Sequence, residues 1–202
     1  MNPSFPNRIK KSSTFIFLVI CLFNCKPHSS EWENANIDPN ISKNSIYAQL
    51  NQEREILSFM EADDPLKKRS SDVSYSCGKK TSSGDDEYNP KDNNCRARFY
   101  DQDTLELRIG TGNMESGHGF TIQYKNGKFH VEPYYYNREN IEDTIKPSYK
   151  IIYQKLTLDK STYKDGDSLY GYIDFKSIET NKNKEEHFGK GSFRAKIKEV
   201  SY

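Results

Sequence analysis

GHGFTIQYKNGKFHVEPYYY, residues 117–136, carries the clearest structural signal in the chain. Asn126-Gly127 separates two runs of alternating polarity, Gly119–Lys125 and Lys128–Glu132. A two-residue Asn-Gly loop tolerates the positive φ angles of a hairpin turn whose twist matches the flanking strands. The segment therefore predicts a β-hairpin. Side chains alternate across a strand, so Phe120, Ile122 and Tyr124 share one face, and Phe129 and Val131 share one face of the partner.

Outward from the hairpin the period of two persists. Val73–Cys77, Cys95–Tyr100, Thr104–Ile109, Tyr149–Leu158, Ser168–Phe175 and Ser192–Val200 are rich in β-branched and aromatic residues and are bounded by turn residues. In Tyr149–Leu158 the apolar phase slips between Tyr149/Ile151/Tyr153 and Leu156/Leu158, which predicts a bulge or a strand crossing between sheets. About eight strands with short turns in residues 73–202 predict a mainly β domain, an antiparallel β-sandwich or barrel. The apolar fraction is only 34%, but 14 Tyr and 11 Phe supply the bulk a core needs.

Upstream, residues 45–63 predict one amphipathic helix. At about 100° per residue, Leu50, Leu57 and Met60 cluster around Ile46. Asn44 or Ser45 can cap its start and Pro65 blocks its continuation. Residues 25–44 are polar and aperiodic and read as a flexible tether, with Trp32 expected to hang loose.

The N-terminus has another character. Arg8, Lys10 and Lys11 precede the apolar run Phe15–Phe23, and no acid occurs before Cys25. A basic head followed by a short apolar run is a secretion signal. The run is about half the ~20 apolar residues a membrane-spanning helix needs. Leu22-Phe23-Asn24-Cys25 resembles a lipobox, the end of a bacterial lipoprotein signal; Phe23 and Asn24 depart from the usual small residues. The resemblance implies a signal peptide over 1–24 and lipidation at Cys25. It places the chain at the bacterial cell envelope, with the outer membrane the expected side. Removing 24 residues from 202 leaves 178, and the three basic residues removed leave 27 basic against 29 acidic. Such a balance gives no pull toward nucleic acid.

An exported domain permits disulfides. Cys77 and Cys95 are expected to bond and close a polar loop, a staple of about 3 kcal/mol in the chain-entropy model. LTLDKSTYKDGDSLYGYIDF, residues 156–175, resembles the strand–Tyr–Gly-Asp–strand pattern of macroglobulin-like and other immunoglobulin-like sandwich domains. That likeness implies that Tyr163 packs under a turn made by Gly166-Asp167. Together with residues 117–136 and GKGSFRAKI (189–197), the stretch also resembles small bacterial lipoproteins whose family name implies no activity.

Signs of catalysis are weak. His28, His118, His130 and His187 form no helical metal pair and read as surface residues. Gly110-Thr111-Gly112 lacks the remainder of a phosphate loop and reads as a strand-end turn. The oxygen-rich cluster Asp85, Asp86, Glu87, Asp92, Asn93 and Asn94 lacks calcium-loop spacing. No catalytic residue, cofactor or metal is expected. Tyr134, Tyr135 and Tyr136 are the candidate binding residues, because alternation prevents all three rings from entering one interior. The expected function is a lipid-anchored, non-catalytic envelope protein with a protein or glycan partner. The alternatives are an envelope-polymer hydrolase using Asp165, Asp167 or Glu132, and an enzyme inhibitor acting through loop 137–144 or 78–94.

Overall fold

The computed structural model describes residues 32–55, 68–78, 93–101, 103–112, 115–137, 147–181 and 184–198. The expected signal peptide, Cys25, the first part of the expected tether, residues 56–63 of the expected helix and most of both expected inhibitory loops lie outside them.

Among the described residues the fold is mainly β, a ten-stranded mixed sheet. The central hairpin forms as expected. β6 (Ser116–Lys125) and β7 (Lys128–Asn137) pair antiparallel with Lys125 opposite Lys128. Asn126 and Gly127 take positive φ of 52° and 78°, the conformation their residue types favour. β5 (Leu105–Gly112) flanks β6, and β4 (Asn94–Phe99) flanks β5. Beyond them stand β10 (Glu186–Lys198), β9 (Ser168–Glu179) and β8 (Tyr149–Leu158). β8 carries a register shift between Ile151 and Tyr153, just before the stretch between Tyr153 and Leu156 where the apolar phase slips.

β10 joins the halves of the sheet. One of its sides pairs with β9 from Glu186 to Lys196. The other side is shared. β3 (Ser74–Cys77) takes His187 to Lys190, and β4 takes Ile197 and Lys198 in parallel. Between them Gly191, at φ 145°, lets the chain before β3 approach so closely that a Cβ there would lie 2.4 Å from the Asp72 carbonyl oxygen. The core lies on the faces that alternation selects. Phe120, Ile122, Phe129, Val131, Leu107 and Ile109 have no solvent exposure. Phe120 meets Phe175 of β9 edge-to-face, ring centroids 4.7 Å apart.

Two short strands come from residues read as tether. β1 (Glu33–Asn34) pairs with β7, and β2 (Asn36–Ile37) pairs with β8 in parallel. Trp32 is not loose; its ring centroid lies 6.2 Å from that of His130. The strand path starts at β1 and ends at β2, so one five-residue segment touches both ends of the sheet. Ala35 N–H donates to the Gly127 carbonyl and Asp38 N–H to the Leu158 carbonyl, both at 2.9 Å.

The expected helix is corrected. α1 spans Ser45–Leu50 only, capped by Asn44, whose side chain accepts from Ile46 N–H at 3.2 Å. Tyr47 and Leu50 are buried, and Tyr47 Oη donates to the Gly171 carbonyl at 3.0 Å. The chain then turns, and Arg54 bridges to Lys68. The reason is Glu55. On a continued helix it would lie ~180° from Ile46, in solvent. Here its carboxylate is buried and accepts from Arg96 at 2.7 and 2.9 Å and from the Ser70 hydroxyl. A buried carboxylate needs such partners, and an apolar wheel gives it no weight.

The expected disulfide is also corrected: Cys77 and Cys95 are not bonded to each other. Cys77 faces His187 near the start of β10. Cys95 faces Ile109 on β4, a strand that meets β10 only at its far end. The fully buried Cys95 thiol is pushed up to about 12 by desolvation, which keeps it protonated and unreactive. Reductant should therefore leave the melting temperature of the purified protein unchanged, and mapping without reductant should recover the two cysteines in separate peptides. A fall in stability on reduction, of the ~2–5 kcal/mol typical of a lost native bridge, would contradict this arrangement.

Candidate functional site

The three tyrosines at the end of β7 divide as alternation requires. Tyr134 and Tyr136 lie on the outer face and Tyr135 on the other, where it is 63% exposed. The outer pair rests on a glycine floor. Gly119 stands opposite Tyr134 and Gly117 opposite Tyr136, while β5 places Gly110 and Gly112 in the next row. A Cβ on Gly117 would fall 2.5 Å from the Tyr136 ring, and one on Gly110 would fall 2.6 Å from the Tyr134 hydroxyl. Absent side chains on two strands thus make room for rings from a third. Gly110, Thr111 and Gly112, read as a strand-end turn, are the last three residues of β5.

The two rings are stacked, 19° between planes and 6.4 Å between centroids. The Arg108 guanidinium lies 4.3 Å from the Tyr134 centroid and 5.6 Å from that of Tyr136. Burial pushes the Tyr134 phenol up, with the hydrogen bond from Arg108 acting the other way. Tyr134 is thereby committed to this stack on the outer face, whereas Tyr135 is not.

Beside Tyr135 opens a cleft of about 290 Å³. Glu132, Pro133, Tyr134 and Tyr135 of β7 form one wall, and Pro147 and Tyr149 at the start of β8 form the other. β7 is exposed to this opening because β1 covers only its first residues, Phe129 and Lys128. Past Phe129 the Val131 N–H is satisfied by the buried Gln154 Oε1 at 3.0 Å, and Pro133 has no N–H to satisfy.

Behind Tyr149 lies a cluster that sequence reading missed. His187, read as a surface residue, is only 7% exposed. Its Nδ1 shares a hydrogen bond with Tyr75 Oη at 2.9 Å, and its ring meets Tyr149 edge-to-face at 5.1 Å. Its Nε2 is buried with no hydrogen-bond partner among the described residues. His118, also read as a surface residue, stacks on Tyr75 at 6.3 Å. The legible signal was period two: His118 and His187 each share parity with core residues of their strands, Phe120 and Phe193.

The remaining candidates do not converge. Asp167 accepts from Lys160 Nζ and Lys164 N–H, both at 3.2 Å, and these hydrogen bonds hold its carboxyl below the usual range. Asp165 sits exposed in the same β8–β9 turn, whereas Glu132 belongs to the cleft on β7. The turn itself follows the sequence pattern. Gly166 takes φ 81°, Asp167 N–H donates to the Lys164 carbonyl at 3.1 Å, and Tyr163 packs against the core with its hydroxyl on Asp159 at 2.7 Å. Among the described residues, no group of three His, Cys, Asp or Glu side chains could hold a metal ion. No described helix is long and apolar enough to cross a membrane. Comparison with family models, with curated proteins and with solved structures finds no match.

His187 gives the domain a definite acid sensitivity. Desolvation lowers its pKa from 6.5 to about 4, so the folded state keeps it neutral where the unfolded state binds a proton. Its contribution is intact above about pH 6.5 and is lost as pH falls toward 4. Denaturant titrations across that window should show stability falling with pH, and His187→Phe should flatten the slope even if it lowers stability at pH 7. An unchanged slope in the variant would exclude His187 as the source.

Proposed function

We propose that the chain is a lipid-anchored, non-catalytic recognition protein of the bacterial envelope. Cys25 carries the anchor, and Tyr135 with its adjoining cleft contacts a protein or glycan partner. The observation that carries this reading is a large aromatic side chain left 63% exposed at the mouth of a cleft whose walls are otherwise formed by packed strands. Tyrosine suits such a role because its ring offers contact area and its hydroxyl a hydrogen bond. Tyr134 and Tyr136 act as the rigid support on which the mouth is built.

We further propose that the sheet folds over at β10 into two facing layers, a sandwich. Contact between Phe120 and Phe175, from the two halves, supports this arrangement, as does the Gln154 bond from β8 to β7. Residues 22–25 support the anchor through the likeness to a lipobox, and the basic head and apolar run before them are consistent with export. Two acyl chains suffice for stable attachment to a bilayer.

One experiment in envelope fractions addresses both halves. Cys25→Ser should release the protein from the membrane fraction, and intact mass of the wild type should show acyl chains on Cys25. Tyr135→Ala, in the anchored protein, should keep the native melting temperature and lose the partner retained by cross-linking. A wild-type chain without lipid would end the anchoring proposal. Full partner retention by Tyr135→Ala would end the recognition proposal.

A further inference from the structure

We infer that Cys77 and His187 form a two-coordinate site for a soft monovalent metal ion, Cu(I). The site stands on residues other than Tyr135 and does not depend on the recognition reading.

Strand register brings the two donors together. Cys77 of β3 stands directly opposite His187 of β10, and Ser177 of β9 stands directly opposite His187 on its other side. Residues so paired project from one face of a sheet, with Cβ atoms about 4.5–5.5 Å apart. That face is the interior one: His187 and Ser177 are buried, and so is Tyr75, two residues before Cys77. The Cys77 side chain, a thiol rather than half of a disulfide, is turned the same way. Burial, followed by the fields of Glu179, Glu132 and Cys77, raises the Tyr149 phenol, and the Tyr149 ring meets His187 edge-to-face.

His187 is prepared as a ligand. Tyr75 Oη occupies its Nδ1 at 2.9 Å, which leaves Nε2 as the nitrogen that can coordinate. Imidazoles that bind metals have their second nitrogen held by an outer hydrogen bond of this kind, which fixes tautomer and ring orientation. Nε2 is buried with no hydrogen-bond partner among the described residues, and so is Ser177 Oγ in the same row. Buried polar atoms without partners are rare in native proteins, and two in one row point to a further species between the strands. Burial also keeps the imidazole neutral, the form that binds metals.

The donor set selects the ion. Thiolate is a soft ligand that favours Cu(I), and imidazole suits copper as well. Zinc requires at least three protein ligands, and no group of three His, Cys, Asp or Glu side chains among the described residues supplies them. Cu(I), with its filled d shell, is satisfied by two donors in line. Binding exchanges the Cys77 thiol proton for the metal: thiol and Cu(I) give a copper thiolate and a released proton, with no change of oxidation state.

The test uses the full-length protein in detergent micelles, with isotope-labelled histidine and without oxygen. Cu(I) and its redox-inert analogue Ag(I) are the probes. One equivalent of either should shift the His187 Nε2 resonance, and silver should split it by direct coupling. The resonance reports on His187 itself, so metal held by Cys25 in an unlipidated chain does not count. Bicinchoninate, added as a Cu(I) competitor until the shift reverses, ranks the variants. Tyr75→Phe, which removes only the bond to Nδ1, should weaken Cu(I) by about 10–100-fold. Cys77→Ser removes a ligand and should abolish the shift, with melting curves confirming that both variants fold. Should a variant not fold, the silver coupling in the wild type decides alone. A His187 resonance unmoved by silver overturns the inference and favours an ordered water between Nε2 and Ser177 Oγ. A shift that persists in folded Cys77→Ser, or Zn(II) that displaces Cu(I) at equal concentration, also overturns it.

Discussion

A sheet has two edges, and each exposes a row of backbone N–H and C=O groups that must be paired, solvated or covered. In this protein one segment, residues 33–37, serves both. β1 lies along β7 and β2 along β8, with only Ala35 between them. These short pairings fix where the two terminal strands stand relative to one another. The buried Gln154 side chain extends the same tie by taking the Val131 N–H. An orphaned buried donor there would cost about 1–3 kcal/mol. Below this tie the interior is closed by Phe120, Phe129, Phe175 and Phe193. Above it β7 and β8 are no longer clasped, and the cleft opens there.

The site is thus a consequence of where closure stops. Pro133 prevents further ladder formation at that point, and the glycines opposite Tyr134 and Tyr136 let those rings lie flat on the outer face. With its two neighbours so placed, Tyr135 is directed into the opening by alternation alone. The buried His187–Tyr75 pair stands behind Tyr149, one wall of the cleft. Tyr149 therefore belongs both to the cleft wall and to the surroundings of His187.

Much of this architecture was legible in local pattern. The Asn126-Gly127 and Gly166-Asp167 turns each follow from a few consecutive residues and form where the sequence placed them, and β8 has its irregularity earlier in the strand than the slipped apolar phase put it. What failed depended on distant partners. Apolar periodicity extended the helix past Leu50 because it gives no weight to Glu55, whose burial is decided by Arg96 forty-one residues away. The cysteine pair was matched by compartment and loop composition, but the strand order carries Cys77 and Cys95 to different parts of β10's neighbourhood. β1 and β2 are two residues each, too short for any periodic signal. The glycine floor needed three strands in register to be seen. Alternation did show that one of the three tyrosines must part from its neighbours, and this was the most useful site-level inference the sequence offered.

The most direct test of the account is residue-resolved amide hydrogen exchange of the native chain at Ala35 and Asp38. Their N–H groups bond to the Gly127 and Leu158 carbonyls at the two edges of the sheet. If the segment is the tie described, both amides should exchange only through large-scale opening and show protection approaching that of Ile122 in β6. Exchange at both positions near the rate of an unstructured peptide, with β6 fully protected, would show that the sheet holds together without the tie and would contradict the account.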